Sequence, residues 1–122
     1  MHKKGNILKD KSYAFAISIV NLYKLIVSEK KEFVLSKQIL RSGTAVGALV
    51  REGEFAQSRA DFINKMSVAL KEANETYFWL SLLKDTDYME SKLYKILESD
   101  CKELIALLVS TIKTAKRNLI NK

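Results

Sequence analysis

Gln38-Ile-Leu-Arg-Ser-Gly-Thr-Ala-Val-Gly-Ala-Leu-Val-Arg-Glu-Gly53 is a run of small and aliphatic residues with charge near both ends. At about 100° per residue, Ile39, Gly43, Val46 and Val50 share one side of a helix and make a core line. Almost opposite lie Arg41, Ala45, Ala48 and Glu52, while Leu40, Gly47 and Leu49 fill the flanks. A solvent-facing stripe normally carries Lys, Glu or Gln along its middle; here the middle is alanine. A helix that is apolar nearly all round is buried nearly all round. Four helices alone cannot cover both faces of one of them, so the second face is expected at a subunit contact, with Arg41 and Glu52 at its ends. The alternative is an alanine-rich exposed face.

Working outward, the 3.6-residue period predicts four helices in all, this run lying in the second. The first covers about 11–30, with Phe15, Ile19, Leu22 and Ile26 on one face. The second covers about 36–53, with Ser36 as N-cap and Gly53 as stop. The third covers about 58–84, opening on Ser58-Arg-Ala-Asp61, a capping-box variant, and burying Phe62, Met66, Ala69, Ala73 and Leu80. The fourth covers about 91–120, after the cap-like Asp87-Tyr-Met-Glu90, and carries Leu93, Leu97, Leu104, Leu108, Ala115 and Leu119. The chain has no proline and four glycines, as a few long helices with short connections require. Short connections make sequential neighbours antiparallel. The expected fold is all-α: one domain, residues 1–122, built as an up-down-up-down four-helix bundle.

Composition narrows the setting. An apolar fraction of 48% with 29% charged residues is that of a soluble globular chain. Cys101 is the only cysteine, so no intrachain disulfide forms and a reducing, cytoplasmic compartment is expected. Met-His-Lys-Lys-Gly-Asn at the start lacks the apolar stretch of a signal peptide. No apolar run is long enough for a membrane span, and no membrane partner is expected.

Two surfaces remain once the core is assigned. Along the third helix, Asp61, Val68, Glu72, Glu75 and Trp79 share a side, near Phe78 and Leu82. Glu72 and Glu75 are either solvated or paired with Arg41 or Arg51 across helices, where a partly buried pair sets register. The second surface is basic, consistent with a net charge of +7. An up-down-up-down bundle puts both chain ends together. That end gathers Lys3, Lys4, Lys9 and Lys11 with Lys113, Lys116, Arg117 and Lys122, against Asp10 alone in the same two segments. The helix macrodipole accounts for the bases that close the fourth helix but not for those that open the first. Such a cluster suits a phosphate backbone.

Chemistry is harder to find. The one histidine, His2, lies outside every expected helix, which removes Glu-x-x-His metal sites, histidine triads and Cys–His pairs. There is no EF-hand loop, and Arg41-Ser-Gly-Thr44 lacks the glycine spacing and lysine of a P-loop. Cys101 falls on the fourth core line beside Leu97, Leu104 and Leu108, as a small buried hydrophobe. No catalytic residue, metal or cofactor is expected, and the chain is not expected to be an enzyme.

Three segments carry a family resemblance: Gln38–Gly53; Gln57-Ser-Arg-Ala-Asp-Phe-Ile-Asn-Lys-Met-Ser-Val-Ala-Leu-Lys-Glu-Ala-Asn-Glu-Thr76; and Tyr77-Phe-Trp-Leu-Ser-Leu-Leu83. Together they resemble the bacterial four-helix bundle family also called the 23S rRNA intervening-sequence protein family. The chain is similar as well to the accessory variability determinant proteins of diversity-generating retroelements, which bind a reverse transcriptase and nucleic acid through a basic surface. The resemblance implies an antiparallel bundle assembled as a homopentamer, with Arg41, Glu52, Glu72 and Glu75 at the family's charged signature positions. Ala45 stands where serine is usual and Leu49 where asparagine is usual. The resulting expectations are a basic oligomer that binds RNA through phosphates, a protein adaptor for a reverse transcriptase, or a structural oligomer. Arg41, Ala45, Ala48, Glu52, Glu72, Glu75 and Trp79 are the candidate subunit-contact residues.

Overall fold

In the computed structural model, the backbone is described for residues 4–120 and side chains for 7–119. His2, Lys3 and Lys122 lie outside the described residues, as does the side chain of Lys4. Four helices make up the architecture: α1 (Lys4–Leu25), α2 (Leu35–Glu54), α3 (Arg59–Asp85) and α4 (Ser91–Ile120). A π-helical turn, Ile26–Lys30, continues α1. No strand occurs among the described residues.

The first helix begins at Lys4 rather than near 11. The polar, lysine-rich start masked Leu8, which continues the Phe15, Ile19, Leu22 and Ile26 line at helical spacing and is fully buried. Beyond the π-helical turn, Lys31 adopts a left-handed conformation (φ 55°) and the chain turns into α2.

Ser36 does not cap α2. The Glu32 carboxylate does, accepting from the backbone N–H groups of Val34 and Leu35 at 3.0 Å and of Ser36 at 2.8 Å. A carboxylate meeting several unpaired N–H groups at the positive end of a helix outperforms a single hydroxyl. Ser36 is instead buried, its hydroxyl donating to the Glu32 carbonyl at 2.9 Å. Desolvation is the largest single influence on Glu32 and acts upward, yet the bonds from Leu35, Ser36 and Val34 together hold its pKa below the usual value.

Gly53 does not stop α2 either. The helix continues to Glu54, and no described glycine has positive φ. A Cβ at Gly53 would stand 2.5 Å from Met66 Cε, so the glycine makes room for α3. Gly43 and Gly47 do the same toward α1. A Cβ at Gly43 would meet Ile19 Cγ1 and Cγ2 at 2.8 Å, and one at Gly47 the Ser12 carbonyl oxygen at 3.2 Å. The small-residue run therefore serves close helix approach inside the chain before any partner is considered. At α3 the capping box forms: Ser58 Oγ accepts from the Asp61 N–H at 3.0 Å, and Asp61 accepts from the Gln57 N–H at 3.2 Å.

Each helix packs on two others in the cyclic order α1, α2, α3, α4. Contacting residue numbers run in opposite senses along successive helices. Ser12 and Ile19 meet Gly47 and Gly43. Ser42 meets Thr76, and Gly53 meets Met66. Ala73 and Ser81 meet Cys101 and Tyr94. The shared core joins Leu8, Phe15, Ile19, Leu22 and Ile26 to Ile39, Val46 and Val50, to Met66, Leu80 and Leu83, and to Leu97, Cys101, Leu104 and Leu108. Of the expected core positions, Phe62 and Leu93 are only partly buried and Leu119 is exposed. Counted from the Lys11–Glu103 contact at about 1.5 Å per residue, the last turns of α4 extend past the described start of α1. Leu119 has no described α1 neighbour there to pack against.

Candidate nucleic-acid interface and subunit face

The basic end is less uniform than the two terminal segments suggest. Lys9 Nζ lies 3.4 Å from Glu54 of α2, and Lys11 Nζ lies 3.2 Å from Glu103 of α4. These acids come from elsewhere in the chain, so a count over the terminal segments could not include them. Lys113, Lys116 and Arg117 are exposed on the closing turns of α4 and form no ion pair among the described residues. Arg51 and Arg59, near the α2–α3 turn, likewise form no ion pair among the described residues. Sequence reasoning missed both as contributors; the shortness of that turn, which brings α2's end and α3's start to one place, was the available signal.

Between this turn and α4 opens a cleft of about 470 Å³, lined by Gly53, Ala56, Phe62, Thr111, Thr114 and Ala115, with Arg59 and Asn118 among its polar residues. Phe55, beside it in the chain, is 79% exposed.

On the α2–α3 outer face three of the four signature residues, Arg41, Glu72 and Glu75, meet within one chain. Arg41 Nη1 donates to Glu72 at 3.1 Å, and Arg41 Nη2 donates to Glu75. The Trp79 indole N–H donates to the same Glu75 oxygen at 3.0 Å. The indole donor first and then Arg41 lower the Glu75 pKa, and the bond to Glu75 is the largest influence raising that of Arg41. Glu52 pairs with Lys65 at 3.4 Å rather than with an arginine, and Arg51 takes no part. Ala45 is half-buried and Ala48 exposed beside this network. Phe78 packs edge-on against Trp79, ring centroids 4.9 Å apart, yet remains 56% exposed. Across the molecule, Tyr13 and Ile17 of α1 are 60% and 48% exposed. The core-line reading of α1 gave no hint of that second apolar face.

A third cluster ties α3 to α4 and was not anticipated. Glu98 Oε2 accepts from the Tyr77 hydroxyl at 2.8 Å and the Tyr94 hydroxyl at 2.9 Å, with Lys102 Nζ at 3.7 Å. Ser81 Oγ lies 3.1 Å from the Tyr94 hydroxyl. The bond to Glu98 is the main reason the Tyr77 pKa rises to about 12, and Tyr77 in turn is the main influence lowering that of Glu98. A carboxylate engaged by this many donors is a poor proton acceptor for anything else, so the cluster reads as a register lock. Among the described residues no group of three or more His, Cys, Asp or Glu could hold a metal ion. None of their helices is long and apolar enough to cross a membrane.

The family model for the 23S rRNA-intervening sequence protein matches residues 4–110. The chain belongs to that family. A solved structure similar to this chain is described as a protein with unknown function from the S23 ribosomal protein family, from Bacteroides thetaiotaomicron VPI-5482. The two are 59% identical over 91% of this chain and 99% of that one, with a TM-score of 0.90. No curated protein matches. The 23S rRNA-intervening sequence protein model thus spans α1, α2 and α3 and most of α4, stopping before Thr111 and the bases at Lys113, Lys116 and Arg117.

Proposed function

We propose that this chain is a non-enzymatic, cytoplasmic RNA-binding protein: a single-domain antiparallel up-down-up-down bundle that assembles with copies of itself as a homopentamer. The carrying observation is the set of exposed bases Lys113, Lys116 and Arg117, without acidic partners among the described residues. Bases left unpaired at one end are free to release counterions from a phosphate backbone. The family's printed name, which refers to 23S rRNA, favours RNA. Self-assembly uses the α2–α3 face around Arg41, Ala45, Ala48, Glu52, Glu72, Glu75 and Trp79. Phe78 there and Tyr13 and Ile17 on α1 are apolar patches on different sides, as a head-to-tail ring requires.

The test is titration of a labelled RNA at several salt concentrations, for this chain and for a K113E/K116E/R117E variant. Binding should weaken steeply with salt, and the variant should lose it. Unchanged binding by the variant overturns the assignment. A chain that ignores RNA but co-purifies with a reverse transcriptase is instead an adaptor. One that does neither is a structural oligomer.

A further inference from the structure

The cleft beside the basic end has features that a phosphate-tracking surface does not need. Its walls are largely apolar, formed by Phe62, Ala56, Ala115 and the bare backbone of Gly53. Its volume of about 470 Å³ lies in the range of small-molecule sites. Thr111 lies in its wall, and Thr111 Oγ1 is shut off from solvent without a hydrogen-bond partner among the described residues. A hydroxyl in that position is unfavourable until something pairs with it. Arg59 supplies a charge and Asn118 an amide that can both donate and accept.

The bases continue outward from the same cleft. At about 100° per residue, Arg117 lies about 60° round α4 from Thr114, and Lys113 about 40° further. The cleft lip thus leads directly into exposed cations. Apolar walls with one aromatic ring, a few hydrogen-bonding groups in the lining and a cationic path at the edge are the features that receive an unstacked base while its backbone runs past. A paired helix cannot place a base there.

We propose that the cleft between the α2–α3 turn and the end of α4 binds a single unpaired nucleobase, beside Phe62, with Arg59 and Arg117 on the flanking phosphates. This rests on the RNA-binding reading above and narrows it to single-stranded or bulged RNA.

The test uses the full chain and three probes: an unstructured RNA 12-mer, a paired duplex of equal length, and adenosine or uridine monophosphate. The 12-mer should bind about tenfold or more tightly than the duplex. A Thr114→Trp variant, which fills the cleft from its exposed lip, should abolish that preference. The monophosphates should shift the Thr111 and Ala115 methyl NMR signals, and T111V should weaken their binding about threefold or more while Thr111→Ser retains it. Salt-sensitive RNA binding with no single-strand preference and no effect of T114W overturns the base site and leaves the RNA reading standing. Methyl shifts with monophosphates in a chain that binds no longer RNA uphold the base site and remove the RNA reading. Loss of self-association in T114W, without any nucleotide response, makes the cleft a seat for a second copy and overturns the proposal.

Discussion

Gly43→Ala adds one methyl group where α2 packs against Ile19 of α1. Taken alone, the change should help, because glycine inside a helix costs about 1 kcal/mol relative to alanine. The surroundings reverse the sign. The new Cβ would stand 2.8 Å from both Ile19 Cγ1 and Cγ2 and 3.2 Å from Ile19 Cβ. Those atoms are at the root of a β-branched, fully buried side chain, so no flexible end can swing aside. Overpacking costs about 1–3 kcal/mol, and about 2–3 where the clash is with the root of a side chain, against which stands the propensity gain of about 1 kcal/mol. The expected net loss is about 1–2 kcal/mol, or a fall in Tm of several degrees for a chain of this size. Urea and thermal unfolding at one fixed protein concentration measure it, since self-association would make stability depend on concentration. Ile19→Ala removes the clashing atoms, so the G43A/I19A double variant should be less destabilised than the sum of the two single variants, with a coupling of about 1 kcal/mol or more. A G43A variant as stable as the parent, or more so, with no coupling to Ile19, would refute the close approach of α1 and α2.

Glu32→Ala should cost about 1 kcal/mol through loss of the α2 cap, seen in urea midpoints. Because the folded-state pKa of Glu32 is lowered, its contribution is present above the unfolded value and fades as pH falls through the folded one. The parent's acid limb of stability should therefore flatten in Glu32→Gln. For Tyr77 the sign is opposite: its contribution is intact below the ordinary tyrosine value of 10.0 and is lost as pH rises through about 12. Glu98→Gln should bring tyrosinate absorbance on at lower pH; an unmoved titration would contradict the register lock. Cys101 is fully buried, with its thiol pushed up to about 12 mainly by desolvation. It should react with a thiol reagent only on unfolding, and fast labelling of the native protein would show that helix α4 opens.

Features carried within one or two helical turns were legible from the residues themselves. The number of helices, the Ser58–Asp61 cap, the Phe15–Ile26 line and the burial of Cys101 all follow from local periodicity and capping chemistry. Leu8 was readable on the same grounds and was hidden only by the lysines around it. The Arg41, Glu72, Glu75 and Trp79 group was partly legible, because angular placement put all four on outer faces of successive helices.

Tertiary structure decided whatever depends on which helices are neighbours and at what axial offset. It set Glu54 against Lys9 and Glu103 against Lys11, while Lys113, Lys116 and Arg117 form no ion pair among the described residues. It turned Gly43, Gly47 and Gly53 from features of one helix into contacts between helices. It gathered Tyr77, Tyr94 and Glu98 from two helices, and it opened the Thr111 cleft between the α2–α3 turn and α4. A helical period specifies the direction in which a side chain leaves its axis. The partner it meets is set by the packing of a second axis against the first, and no single segment contains that information.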